Sequence, residues 1–164
     1  MKIALANMHQ LHHAVVNAPV VFAAPLNKHS IMTVSVEAAR HYLATLDLGY
    51  ITVSMCAPTY PLPRWTQADA AVCEDLYKKF LLLQKIHPGL PLVPTKEIDE
   101  FWHNHILHTK QYHHDCQQIF GHYFHHQPAS QQENPQQLVD DYARTRQLFF
   151  AEFKIQIDLA QPSS

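Results

Sequence analysis

The stretch Thr95-Lys-Glu-Ile98-Asp99-Glu-Phe101-Trp102-His103-Asn-His105-Ile-Leu-His108-Thr-Lys-Gln-Tyr112-His-His-Asp115-Cys116-Gln-Gln-Ile119-Phe120-Gly121 decides the fold of this chain. Ile98, Phe101/Trp102, His105, Thr109, Tyr112, Cys116 and Ile119/Phe120 recur at three and four residues, the period of one helical face. Thr95 stands where an N-cap is needed, and Glu97 and Asp99 fall in the first turn, where the helix dipole favours negative charge. Gly121 is a typical residue for the position just past a helix. The stretch reads as one long helix, or as two joined near 108–110. Because metal-ligand side chains alternate here with large apolar ones, some of the histidines must point into a core, and a buried imidazole needs a partner.

Working outward, Thr66 with Asp69 three places later is a capping box in its acidic form, and Val72/Cys73, Leu76/Tyr77, Phe80, Leu83 and His87 continue the period. That spacing predicts a helix over 67–87, ended by His87-Pro88-Gly89. Leu90-Pro-Leu-Val-Pro94 is then a proline-stiffened extended crossing. Val36, Ala39, Tyr42/Leu43 and Leu46 predict a helix over 34–47, capped by Ser35 or Thr33 and stopped at Gly49. Tyr50-Ile-Thr-Val-Ser-Met is short and β-branched, with Pro58, Pro61 and Pro63 close behind, and reads as an extended linker or a lone strand. After a polar, proline-bearing loop, Leu138, Tyr142, Thr145, Leu148/Phe149 and Phe153 predict a last amphipathic helix over 135–155. Residues 1–31 show no sustained period and read as an irregular N-terminal arm. The expectation is an all-α protein, a small helical bundle of about four helices forming a single domain over 32–160.

With 164 residues, 47% of them hydrophobic, the chain is long enough to bury one core. Its formal charge is −2 with neutral histidines and its basic residues form no run, which argues against a nucleic-acid partner. Fourteen histidines against twelve Lys+Arg make the net charge swing positive as pH falls through about 6.5, the ordinary imidazole value. Cys56, Cys73 and Cys116 are odd in number and contain no Cys-x-x-Cys, which fits a reducing compartment rather than a disulfide framework. His9, His12, His13, Asn17 and Pro19 make the N-terminal region a poor signal peptide, and no run approaches the roughly 18–20 apolar residues a membrane span needs. A cytoplasmic protein without a membrane partner is expected. The three glycines form neither a dinucleotide-binding nor a Walker sequence.

The chemistry resides in the histidines. At about 100° per residue, His105, His108, Tyr112 and Cys116 share the apolar face, whereas His103 lies about 160° from His105. Asp99 and His103 stand one turn apart on another face, either as two ligands or as a ligand with its orienting partner. Beyond Gly121 the chain can turn and bring His125 or His126 back. Two metal sites follow: Asp99 and His103 completed by His126, or His105 and His108 with Tyr112 or Cys116 nearby. Imidazole with carboxylate suits a transition metal ion, zinc or iron foremost.

The run from Val93 through His108-Thr, followed by Tyr112, Asp115-Cys116, Phe120-Gly121 and His125-His126-Gln-Pro128, resembles the glycine-rich domain-containing protein-like family of bacteria and plants. With the lead-in from Tyr77 to Pro94, the likeness covers roughly 66–154. It implies a helical domain and singles out Asp99, Trp102, His103, His105, Tyr112, Asp115, Cys116 and His126, but implies no reaction. The aromatic-glycine segment of many members is replaced here by Ala129-Ser-Gln-Gln-Glu-Asn-Pro135, and the glycine-rich tail of plant members is absent, so RNA binding does not transfer.

The sequence thus supports a metal-binding domain using some of Asp99, His103, His105, His108 and His126, with Trp102, Tyr112, Asp115, Cys116 and His125 around them: a metal-dependent enzyme if a coordination position is open, a structural site if it is closed, its small-molecule or protein partner unspecified. A metal-free interaction module with structural histidines is the alternative, and a reactive Cys116 thiol the third reading.

Overall fold

Short amphipathic helices that each bury one stripe need a common partner, and the longest of them supplies it. In the computed structural model, which describes residues 33–61, 65–126 and 134–157, the elements in order are α1 (Val36–Thr45), α2 (Gly49–Met55), α3 (Gln67–Ile86), α4 (Lys96–Leu107), α5 (Thr109–Phe120) and α6 (Pro135–Phe153). Helix α3 touches all five others. Its Tyr77, Phe80 and Leu83 are fully buried, and each large apolar side chain so placed contributes about 1.5–3 kcal/mol. The capping box forms as the sequence predicts: Thr66 Oγ1 accepts from the Asp69 N–H and donates to the Asp69 carboxylate.

The described residues hold six helices and no strand, where the sequence reading gave about four helices. One addition is α2, in the segment read as an extended linker or a strand. Tyr50, Ile51, Thr52 and Val53 are poor helix formers, each costing roughly 0.5 kcal/mol relative to alanine. Against that, Leu48, Ile51 and Met55, at helical spacing, are fully buried, worth several kcal/mol together by an area estimate. Tertiary burial wins, and the Asp47 carboxylate accepts the Gly49 N–H at the helix start.

The second addition comes from splitting the long stretch at His108. Residues ten apart on a straight helix are about 15 Å apart along its axis. Yet Trp102 Nε1 lies 2.9 Å from Tyr112 Oη, and His105 Nε2 lies 2.9 Å from Asp115 Oδ2, so the chain bends sharply between them. His108 leaves helical geometry at φ −86°, ψ 61°, and its Nδ1–H donates to the Asn104 carbonyl at 2.9 Å, filling an acceptor freed by the break. Helices α4 and α5 pack on each other and both on α3, while α1 lies against α3 and α5. Helix α6 meets only α3 among the helices. Among the described residues, no helix is long and apolar enough to cross a membrane. The reading of residues 1–31 as an irregular arm lies outside the described residues.

Candidate metal centre

Helix α4 presents Asp99 and His103 one turn apart, as their spacing requires. Thr95 caps the helix by accepting the Ile98 N–H. The His103 Nδ1 donates to the Asp99 carbonyl oxygen at 2.7 Å and lies 3.3 Å from the Asp99 carboxylate. A carbonyl only accepts, so the proton is on Nδ1 and, in the neutral ring, Nε2 keeps its lone pair. Metal-bound histidines are held in this way, the second ring N–H fixed by a backbone or carboxylate oxygen.

The third member comes from beyond α5. Gly121 adopts φ 80°, the left-handed conformation that closes the helix without a Cβ penalty, and residues 122–126 then run back along α4. His126 Nε2 approaches Asp99 Oδ1 at 2.8 Å, and its ring lies 4.4 Å from that of Trp102 and 4.5 Å from that of His103. One donor atom from each of Asp99, His103 and His126 lies within 4.8 Å of the others, and no other group of three His, Cys, Asp or Glu side chains among the described residues could hold an ion in this way. The cluster is graded in exposure. The His126 side chain is 11% exposed, Asp99 38% and His103 51%, so the site is closed beneath and open on the His103 side.

His105 is placed elsewhere. Fully buried, it donates from Nε2 to the Asp115 carboxylate and accepts at Nδ1 from the Tyr77 hydroxyl, 2.9 Å away on each side. Both ring nitrogens are thereby engaged, leaving none for an ion. Asp115 also accepts from the hydroxyl of Tyr42 at 2.5 Å and from Gln111 Nε2 at 2.8 Å. Burial pushes the Asp115 carboxyl upward, but the hydrogen bonds from His105, Tyr42 and Gln111 outweigh it and hold the group below the ordinary carboxylate value. The same burial, with Asp115 beside it, raises Tyr42, and Tyr50 is pushed up to about 12 for similar reasons. Tyr42, Tyr77 and Gln111 carry this network, and the sequence reading did not assign them to any site. The available signals were Gln111 four residues before Asp115 and two tyrosines on core faces, whose hydroxyls need partners.

The remaining candidates divide plainly. His108 packs its ring on Tyr50 at 4.7 Å and meets no carboxylate among the described residues, which do not assemble a site from His105 and His108. His125 is exposed and packs on Tyr123, not on Asp99. Cys116 is 2% exposed and its thiol is raised by burial, an inert environment that opposes the reactive-thiol reading. Trp102 borders the centre, and Tyr112 stands behind it. Trp102 backs His126 and donates its indole N–H to the Tyr112 hydroxyl.

Fold and geometry together define a helical domain with one three-residue cluster of two imidazoles and a carboxylate. A family model for the UCP032817-like proteins matches residues 29–162, and the chain belongs to that family. This corrects the likeness to the glycine-rich domain-containing protein-like family: the matching family is a different, uncharacterised one. Its match also takes in α1 and α2, which the earlier likeness left out. No curated protein and no solved structure matches the chain.

Proposed function

We propose that this domain binds one transition-metal ion, zinc or iron, through Asp99, His103 and His126. The supporting observation is the convergence of their three donor atoms within 4.8 Å, with the His103 Nδ1 proton committed to a backbone carbonyl. Two imidazoles and a carboxylate form the donor set of many catalytic zinc sites and of non-haem iron sites. His126 Nε2 and Asp99 Oδ1 share a proton at 2.8 Å, and the same two atoms would hold a cation in that proton's place. Three protein donors leave at least one coordination position open, and the exposed His103 side lets a small molecule reach it. An ion held there supplies Lewis acidity and lowers the pKa of bound water. The residues supply what makes that usable: Asp99 offsets the charge, His103 is fixed in one tautomer, and Trp102 shields the inner wall. Cys56, Cys73 and Cys116 are unpaired, which fits a reducing compartment such as the cytoplasm.

A second reading is favoured by one observation: the Asp99–His126 and His103–carbonyl contacts already satisfy these groups as hydrogen bonds. The triad is then a clip tying residues 122–126 to α4 in a metal-free interaction module. Elemental analysis of untagged protein separates the two. The metal reading expects about one equivalent of zinc or iron, falling at least tenfold in Asp99→Ala and in His126→Ala, as loss of a first ligand should cause. Less than about a tenth of an equivalent in the wild type, including after incubation with either metal, leaves only the clip.

A further inference from the structure

We infer that Tyr112 is a positioning residue for His126, its hydroxyl fixing the chain after Gly121 in the register that sets the imidazole against Asp99. This rests on the metal-centre reading. Residues 122–126 belong to no helix or strand, so no backbone ladder sets where His126 lies. Side chains do it instead. The Tyr112 ring is fully buried, and its oxygen accepts the indole N–H of Trp102 at 2.9 Å. That direction being taken, the hydroxyl proton points the other way, into the Phe124 carbonyl at 2.5 Å.

Phe124 is thus held at both ends. Its carbonyl is bound by Tyr112, and its ring stacks on Trp102 (centroids 5.4 Å, planes 7° apart) and on Phe120 at 4.5 Å. His126 follows only two residues later, and two residues of extended chain span about 7 Å, so a displacement at Phe124 passes on to the imidazole with little slack. Trp102 joins the two ends of this arrangement, since the indole that donates to Tyr112 also packs against His126 at 4.4 Å. From its place on α5 the hydroxyl bonds both Trp102 of α4 and Phe124 of the returning segment, and the Cys116 thiol one turn on adds a hydrogen bond to the Phe124 backbone without reaching Trp102.

Tyr112→Phe removes that atom and keeps the ring. Zinc affinity is expected to fall about 10–100-fold, the range seen when partners of metal ligands are removed. The loss should vanish in a His126→Ala background, where the ligand that Tyr112 positions is already gone. Ile119→Val perturbs the same helix with the hydroxyl intact and is expected to leave zinc affinity unchanged. In the metal-free protein, proton signals of the His126 ring, shifted by the Trp102 indole, should move toward free-histidine positions in Tyr112→Phe. Three results would overturn the proposal: unchanged zinc affinity with unchanged His126 signals, an equal loss in the His126→Ala background, or an equal loss in Ile119→Val. Should the wild type bind no zinc, the metal reading fails by itself and the His126 signals alone decide the role of Tyr112.

Discussion

At the scale of single residues, two histidines two positions apart on α4 serve opposite purposes, and burial decides which. His103, half exposed, commits its Nδ1 proton to the Asp99 carbonyl and keeps the Nε2 lone pair open. His105, fully buried, has both nitrogens engaged and joins Asp115 to Tyr77 across α5 and α3. Because Asp115 is held below the ordinary carboxylate value, its contribution to stability is complete above about pH 4, the unfolded value, and is lost as pH falls through the lower folded value. Asp115→Asn removes a charged acceptor from three hydrogen bonds and is expected to cost about 2–4 kcal/mol at pH 7, since each bond to a charged group is worth about 1.5–3 kcal/mol. Urea unfolding at stepwise pH should show the gap between wild type and variant narrowing below about pH 4. A gap that stays constant down to about pH 2 would mean that the Asp115 charge contributes nothing. The sequence marked His103 and His105 as lying on different faces, but it held no sign of which one would find Tyr77, because that contact spans 28 positions.

At the scale of elements, legibility followed whether the governing forces were local. Helices α3 and α6 were legible to within two residues at each end, from caps and a sustained period. The start of α4 and the end of α5 were equally plain from Thr95 and Gly121. The break between them was legible only as a region, since nothing in the residues near His108 forbids continuing the helix. The pairing of Trp102 with Tyr112 and of His105 with Asp115 favours the bend, and both are tertiary. Helix α2 was misread because its β-branched residues outweighed the spacing of Leu48, Ile51 and Met55, which carried the helical signal. Helix α6 is fastened through Thr145, fully buried, whose hydroxyl accepts the Val93 N–H at 2.9 Å and donates to the Asp141 carbonyl at 3.0 Å. Thr145→Val keeps the shape and leaves the Val93 N–H without a partner, with an expected loss of about 1–3 kcal/mol in urea unfolding. Zinc affinity should not change, because α6 touches α3 alone among the helices and none of the three donors lies on either. A fall in affinity with the stability loss would show that α6 reaches the centre by a route its contacts do not reveal.

At the scale of the molecule, one long helix braces five shorter ones among the described residues, and two separate polar systems draw on the α4–α5 pair. The inner one, Tyr77–His105–Asp115–Tyr42, is closed and holds helices together. The outer one, Asp99–His103–His126, opens to solvent and depends on a returning segment held by aromatic stacking, the Tyr112 hydroxyl and the Cys116 thiol. The outer set was legible in the sequence as one of two candidate sites, whereas the inner one was not: His105 was set with His108, and Tyr42 and Tyr77 had no assigned role, since the bend at His108 that turns His105 to Asp115 is tertiary. The most direct check is an anomalous-difference map from crystals grown with stoichiometric zinc and measured at the zinc absorption edge. It should show a single strong peak about 2.0–2.2 Å from an Asp99 carboxylate oxygen and from one ring nitrogen each of His103 and His126. A map without that peak, with His126 still bonded directly to Asp99 or the ion resting on exposed histidines such as His113 and His114, would contradict a metal centre in this domain.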